Sequence, residues 1–162
     1  MKKSYILLLA VAVLLSATSC MKKMAGPISA FAKKEIIYMN SELDGSITLR
    51  VQGEGRDEKD AHEQAAKEAV HAVIFKGVDV PNNPRLSQPL VADPRAEVEH
   101  EAFFNKFFKD GGKYTSFVSK KDHNPDYDYT KSRTTRMRVI TTVRVERSKL
   151  QAYLIKQEII TE

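Results

Sequence analysis

The stretch SITLRVQGEGRDEKDAHEQAAKEAVHAVIFKG, residues 46–77, predicts a β-strand followed directly by an α-helix. Apolar and polar residues alternate along Ser46–Gly53, which is typical of a strand with one buried face. Asp57 is a favourable N-cap for the helix predicted over Glu58–Lys76, where alanines at i, i+4 spacing form an apolar stripe. Gly77 is placed to end that helix. Because alanine is small, we expect the helix to approach a sheet or a second helix closely.

The neighbouring segments add a hairpin, a loop and a second helix. Upstream, the short apolar run Ile36–Met39 and the turn signal Asp44-Gly45 predict a hairpin with the strand described above. Downstream, three prolines predict a loop over Val78–Val91. A second helix is predicted over Asp93–Lys109, with aspartate as its N-cap and proline at its first position.

The C-terminal part of the chain predicts two more strands and a last helix. Lys113–Lys120 is a strand candidate, and the turn that follows is placed at Asp122–Asp128. Lys131–Glu146 is the longest alternating run in the chain and predicts a half-buried strand. Ser148 is expected to cap the last helix. The buried side of the long strand is predicted to consist of Met137, Val139, Thr141, Val143 and Val145.

Together these elements predict an α+β fold in the order (β)β-α-α-β-β-α. We expect a small antiparallel or mixed sheet of three to four strands with helices packed on one face. The chain has 162 residues, of which 42% are hydrophobic and 29% charged, so a disordered, collagen-like or multi-pass membrane protein is disfavoured. Residues 35–162 are expected to form a single α+β domain.

The N-terminal residues have the layout of a secretory signal peptide. Two lysines precede an unbroken apolar run of eleven residues, Tyr5–Leu15, and small residues then lead to Cys20. Because a membrane-spanning helix needs ~20 apolar residues, a permanent transmembrane helix is disfavoured. We predict a lipoprotein signal peptide over residues 1–19 and a flexible tether over residues 20–34.

The only cysteine stands at the end of this leader. The sequence S-A-T-S-C, which ends at Cys20, resembles a bacterial lipobox. The resemblance implies that Cys20 is acylated, by palmitate for example, and becomes the mature N-terminus. Ordinary cleavage stays open as an alternative, because Ala17 and Ser19 also fit an A-x-A-like site. No aspartate follows Cys20, which by the same resemblance implies the periplasmic side of the outer membrane.

A nucleotide-binding motif is started but not completed. Gly53-Glu54-Gly55 follows a strand and precedes a helix, as in a dinucleotide-binding fingerprint, but Glu58 stands where the third glycine is required. We therefore interpret these glycines as strand-exit positions with positive φ. The net charge of +5 is too mild to indicate nucleic-acid binding, and the export signal disfavours it further.

Motifs for metal binding and catalysis are also incomplete. His100-Glu101 begins like a zinc-protease helix, but Phe104 replaces the second histidine. The serines lack a nucleophile-elbow context, and the only cysteine is assigned to lipidation. The sequence therefore predicts no metal, no cofactor, no catalytic residue and no enzymatic activity.

Two groups of residues are candidates for partner binding. The first is a set of phenylalanines on one side of a predicted helix, where core packing is one interpretation and docking of a partner by exposed rings is the other. The second is a basic strip opposite the valines of the long strand. It is either a solvated face or a contact surface for an acidic protein, anionic lipid or cell-wall carboxylate. These candidates are Phe103, Phe104, Phe107, Phe108, Arg136, Arg138 and Arg144.

Two segments carry a family resemblance. The first is ITLRVQGEG with the alanine-rich helix Asp60–Val73, and the second is RMRVITTVRVERSKLQAYL at Arg136–Leu154. A strand with G-x-G, an alanine-rich helix, a later V-x-V strand and a helix with L-x-x-x-L are similar to small bacterial outer-membrane lipoproteins of the flagellar sheath or basal-disk type. They also resemble the N-terminal module of flagellar outer-ring proteins. The resemblance implies a scaffold that packs into envelope assemblies and has no catalytic residues to carry over.

These observations favour a lipid-anchored periplasmic accessory or scaffold subunit of a trans-envelope assembly, such as a secretion or motility apparatus. The expected partners are outer-membrane lipid, through acylated Cys20, and envelope proteins of a multi-subunit machine. Nucleic acid is not an expected partner, and homo-oligomer formation is left open. The alternative is a periplasmic module that binds a small ligand or a cell-wall component, which predicts a concave pocket with convergent polar groups.

Overall fold

The structure is a computed structural model that describes residues 36–119, 130–131 and 137–161. The leader at 1–19, the tether at 20–34 with Cys20, and Arg136 lie outside the described residues. The turn predicted at Asp122–Asp128 also lies outside them.

The described strands form one antiparallel sheet. The strands are β1 (Ile36–Ser41), β2 (Ile47–Gly55), β3 (Val118–Ser119), β4 (Thr130–Lys131) and β5 (Met137–Val145). Their order in the sheet is β1-β2-β5-β3, and β4 pairs with the other end of β5. The predicted hairpin of β1 and β2 is confirmed, and β2 pairs with β5 over nine residues each.

The described helical elements are five α-helices, one π-helical turn and one 3₁₀ turn. The α-helices are α1 (Glu58–His71), α2 (Pro84–Ser87), α3 (Ala96–Glu99), α4 (Glu101–Phe107) and α5 (Arg147–Lys156). The π-helical turn is Ala72–Lys76, and the 3₁₀ turn is Lys113–Phe117. With an antiparallel sheet and helices beside it, the predicted α+β class is confirmed.

The helical segment formed by α1 and the π-helical turn begins and ends where the sequence predicts. The side chain of Asp57 accepts a hydrogen bond from the backbone N–H of Asp60 at 2.8 Å, so it caps the first turn. The helical path continues through the π-helical turn to Gly77, whose φ of 75° ends it. The N–H of Gly77 donates to the carbonyl of Ala72 at 2.8 Å. Only glycine adopts that left-handed conformation without strain.

Gly53 lies inside β2 and Gly55 is its last residue, and the positive φ predicted for both is wrong. Gly53 is paired with Val139, and neither glycine is among those with positive φ. Both glycines are buried under α1. A Cβ on Gly53 would lie 2.0 Å from the carbonyl oxygen of Ala61, and one on Gly55 would lie 2.3 Å from its nitrogen. The glycines are therefore required by the close contact between helix and sheet, as the alanine stripe predicts.

The core lies on the helical side of the sheet. Every second residue of β2 is buried, beginning with Ile47, and α1 places three alanines, Ala61, Ala65 and Ala69, in the interior with no exposed surface. The inward side of β5 is as predicted at four of its five positions, while Met137 is only half-buried. The buried members of β5 are Val139, Thr141, Val143 and Val145.

Two predictions for the middle of the chain are wrong. The helix predicted over Asp93–Lys109 is broken at His100, where φ is −109° and ψ is 30°, so that α3 and α4 are separate. The strand predicted over Lys113–Lys120 is a 3₁₀ turn up to Phe117, and only Val118–Ser119 pair with β5. At the 3₁₀ turn, Tyr114 and Phe117 are buried in the core, so tertiary contacts outweigh the local pattern there.

Helix α5 is anchored by contacts different from those the sequence suggests. Ser148 does not cap it, since Glu146 holds the N-cap position and the Ser148 hydroxyl donates to the carbonyl of Asp44 at 3.0 Å. Arg147 is buried and donates to the carbonyls of Arg85 at 3.3 Å and Gln88 at 3.1 Å. Burial, and secondly the charge of Arg85, lower the pKa of Arg147. These two hydrogen bonds hold the proline-containing loop against the start of α5.

An acid-dependent contribution to stability is expected at the start of α1. The Asp60 carboxylate accepts hydrogen bonds from the backbone N–H and the guanidinium of Arg56 at 3.0 and 2.9 Å. These bonds, the backbone one first, lower the pKa of Asp60 from 3.8 to about 2. Because the folded pKa is the lower one, the stabilisation is complete above pH 3.8 and is lost as the pH falls through about 2.

Urea denaturation of the wild type and Asp60→Asn at a series of pH values measures this contribution. We expect the wild type to be the more stable protein near neutral pH and the difference to shrink between pH 3.8 and about 2. A difference that stays constant across that window would contradict the assignment.

Candidate functional site

One face of the sheet carries no helix among the described residues, and we call it the open face. Cross-strand partners point to the same side of a sheet, so the register of β1, β2 and β5 defines its members. On β2 and β5 these side chains are half-buried, in contrast to the fully buried residues between them. The open face consists of Ile37, Asn40, Thr48, Arg50, Gln52, Glu54, Arg138, Ile140, Thr142 and Arg144.

Arg138 is paired with a carboxylate at one end of the open face. Its Nε and Nη2 atoms donate to Oε1 of Glu54 at 2.8 and 2.6 Å, and the two residues are direct cross-strand partners. The pair is partly exposed, so we expect it to contribute only about 0–1 kcal/mol to stability. Its main consequence is that the charge of Arg138 is neutralised by this chain.

Arg144 is paired at the other end. Its Nη2 atom lies 2.8 Å from Glu42 and 3.1 Å from Asp44, and its Nε atom donates to the Ser46 hydroxyl at 3.0 Å. Hydrogen bonds from the side chain and then the backbone of Ser46, together with the charge of Arg144, lower the pKa of Asp44. The β1–β2 turn therefore presents an ionised carboxylate to Arg144. Arg136, the third predicted member of the basic strip, lies outside the described residues.

Exposed apolar side chains lie on the β1 side of the open face, at its member Ile37 and at two residues next to the face. Ile37 is 44% exposed, Met39 is 52% exposed, and Leu43 in the β1–β2 turn is fully exposed. Met39 lies where the register between β1 and β2 shifts at a β-bulge. β1 is also the edge strand of the sheet. The sequence pattern identified none of these three residues as site residues, because exposure of an isolated apolar residue cannot be read from periodicity.

The four phenylalanines of the predicted docking group divide into two kinds. Phe104 and Phe107 are buried, which confirms core packing for them. Phe103 and Phe108 are half-buried and pack against that core. The ring of Phe107 lies edge-on to Phe108, with 4.9 Å between centroids, and its centroid lies 6.0 Å from that of Phe117. Docking through these rings is therefore restricted to Phe103 and Phe108.

A groove of about 570 Å³ lies between α1 and the α3–α4 segment. Phe104 and Phe108 line it, and Nε2 of His71 lies 3.0 Å from Oε1 of Glu97 across it. Neither Arg138 nor Arg144 lines this groove. The sequence did not predict it, because it is formed by residues of α1 and α3 that lie 26 positions apart.

The described residues contain neither a metal-binding cluster of side chains nor a membrane-spanning helix. None of their histidine, cysteine, aspartate and glutamate side chains form a group of three or more that would hold a metal ion. No helix among the described residues is long and apolar enough to cross a membrane.

Comparison of the chain with protein-family models, with curated proteins and with solved structures found no match. The geometry above is therefore the basis for assigning a role.

Proposed function

We propose that this protein is a lipid-anchored periplasmic accessory or scaffold subunit of a trans-envelope assembly, in a secretion or motility apparatus, and that it acts by binding other proteins. The observation that carries the proposal is the open face. Its arginines on β5 are paired with carboxylates of this chain, and exposed Ile37 and Met39 lie on the edge strand β1. Such a mixture suits a protein interface, because non-obligate interfaces are about as polar as the remaining surface and are enriched in arginine and methionine.

The leader and Cys20 supply the membrane-anchoring part of the proposal. Acyl chains on Cys20 would hold the mature N-terminus in the outer membrane, since each buried CH₂ contributes ~0.8 kcal/mol. Lys22 and Lys23 follow directly and suit phospholipid headgroups, at about 1 kcal/mol each on an anionic surface. The tether at 20–34 would span at most ~50 Å when extended, so the folded part reaches partners clear of the membrane.

Tethering gives this arrangement its mechanism. A domain confined near one membrane meets its partner at a high effective concentration, so a modest contact on the open face suffices for stable assembly. The role we assign is binding, without a catalytic step.

The alternative role, binding of a small ligand or cell-wall component, has one observation in its favour. The groove between α1 and the α3–α4 segment is concave, with phenylalanine rings and polar side chains in its walls. Pockets of this size bind small molecules in other proteins. However, the arginines expected to surround such a pocket, Arg138 and Arg144, are on the open face instead. For this reason we place protein binding first.

Cys20→Ala tests the anchoring, with Ser19→Ala as a control that alters the leader but keeps the cysteine. We expect Cys20→Ala to leave the membrane fraction and to recover at least ~100-fold less of its envelope partners from membranes, the lower end of typical avidity gains. Ser19→Ala should behave like the wild type. Equal recovery of the same proteins by Cys20→Ala would show that anchoring is not the mechanism, and an unmodified thiol in the native N-terminal peptide would contradict lipidation directly.

A further inference from the structure

Arg50 occupies the middle of the open face. Its direct cross-strand partners are Thr142 on β5 and Ile37 on β1. Thr48 and Gln52 are its neighbours on the same face of β2. All four surrounding side chains are uncharged, and Arg50 as a residue is half-buried.

The other two described arginines of this face are neutralised, and Arg50 is not. Arg138 binds Glu54, and Arg144 lies between Glu42 and Asp44. Within the described part of the chain, the side chain of Arg50 makes no hydrogen bond and no ion pair. A half-buried charge without a partner is unfavourable, because it loses hydration without gaining an opposite charge. Among the described residues, the open face therefore has a single unmatched positive charge in a neutral, partly apolar setting.

This setting selects the chemistry of a ligand. A guanidinium presents a planar fork of N–H donors that matches the two oxygens of a carboxylate. Ile37, directly opposite Arg50 on β1, and Ile140, opposite Gln52 in the next row on β5, supply apolar contact surface near Arg50. A surface complementary to the open face thus has one carboxylate, which pairs with Arg50, and apolar groups around it. An aspartate or glutamate within a protein segment has this chemistry.

Two other occupants fit the charges less well. A lipid surface is recognised by clusters of four to eight basic residues, whereas the described residues of this face include one unmatched cation. A second copy of this chain placed face to face about a two-fold axis near Arg50 would bring two unmatched arginines together. Like charges across an interface are destabilising.

We propose that Arg50 forms an ion pair with an aspartate or glutamate of an envelope protein whose segment lies across the open face. This inference rests on the proposed function, because it names the partner chemistry of the same surface. Arginines in the centre of an interface are frequent hot spots, and truncating one costs more than the rim contacts do.

The test is photo-crosslinking in cells with p-benzoylphenylalanine in place of Thr142 of the full-length protein. We expect one crosslinked partner peptide that contains an aspartate or glutamate. Arg50→Glu and Arg50→Gln should lower the crosslink yield at least about tenfold, the factor that corresponds to about 1.4 kcal/mol. Arg50→Lys should retain part of it. Lys59→Glu, which makes the same charge reversal on exposed α1, should leave the yield unchanged.

Charge reversal in the partner completes the test. Changing the identified carboxylate to lysine should restore the crosslink to Arg50→Glu and reduce it for the wild type. Crosslinking to a second copy of this chain, a partner peptide without an acidic residue, or a yield that does not respond to Arg50→Glu would overturn the inference. A protein with p-benzoylphenylalanine in place of Lys106 on α4 gives the comparison. Crosslinks from position 106 together with none from position 142 would overturn the open face as the docking surface. Circular dichroism of each variant checks that it is folded.

Discussion

Gly53→Ala is expected to destabilise the fold by about 3 kcal/mol or more, at the upper end of the cost of overpacking a core. An alanine Cβ at this position would lie 2.0 Å from the carbonyl oxygen of Ala61 and 2.7 Å from the nitrogen of Ala65. Both are backbone atoms of α1, so no side-chain rotation relieves the contact. A loss of this size is a large part of the 5–15 kcal/mol by which domains are stable.

The helix cannot move away from the sheet without further cost. Ala61, Ala65 and Ala69 are fully buried against β2 and β5, so a shift of α1 by about 1 Å would weaken packing along its whole inner side. The opposite side of α1 is also held by contacts with other parts of the chain. Glu63 accepts hydrogen bonds from Gly111 N and the Tyr114 hydroxyl at 2.7 and 2.9 Å. A displaced helix would strain those contacts too.

Equilibrium urea denaturation followed by circular dichroism measures the effect, and Gly111→Ala is the matched control. Gly111 has φ of 63° and nothing within 4 Å of a built Cβ, so alanine there meets only the left-handed backbone penalty of about 1–2 kcal/mol. Both variants make the same change in the unfolded chain. Equal losses for Gly53→Ala and Gly111→Ala would show that the contact with α1 does not limit position 53.

The sequence was sufficient to predict β2, α1 and β5 because each has a strong and uninterrupted period. The alternation along β5 also placed Arg138 and Arg144 on the side opposite the valines. By contrast, the residues over Lys113–Phe117 look like a strand, yet they form a 3₁₀ turn. The hydroxyl of buried Tyr114 is held by Glu63, 51 positions earlier, and such a contact leaves no trace in the local pattern.

Only part of the candidate site could be predicted from the sequence. The outward direction of Arg50 follows from the alternation of its strand, but the neutralisation of its neighbours does not. Glu54 and Arg138 are 84 positions apart in the sequence. They meet because the register between β2 and β5 places them opposite each other. A one-residue change of register would move every such side chain to the other face. Hence the pattern predicted a basic strip, whereas the structure shows two arginines paired with carboxylates and one unmatched arginine among the described residues.

Phe107→Ala is expected to destabilise the fold by about 3–5 kcal/mol, the usual cost of removing a large aromatic ring from a core. Phe107 is 2% exposed. Its ring centroid lies 4.9 Å from that of Phe108 and 6.1 Å from that of Tyr153, so truncation would leave a cavity between α4 and α5. Aromatic pairs of this geometry add about 0.5–1.5 kcal/mol beyond the buried area.

The same variant separates core packing from partner docking at the phenylalanine group. Thermal and urea denaturation of Phe107→Ala should show the loss of stability, whereas Val98→Ala, at a site 76% exposed on α3, should change it by no more than about 0.5 kcal/mol. Under conditions where Phe107→Ala remains folded, crosslinking from position 142 should persist, because the open face is on the other side of the sheet. A stable Phe107→Ala protein that has lost its envelope partners would instead identify the aromatic group as the docking surface. That result would also mean that the ring is not held in the core as its burial indicates.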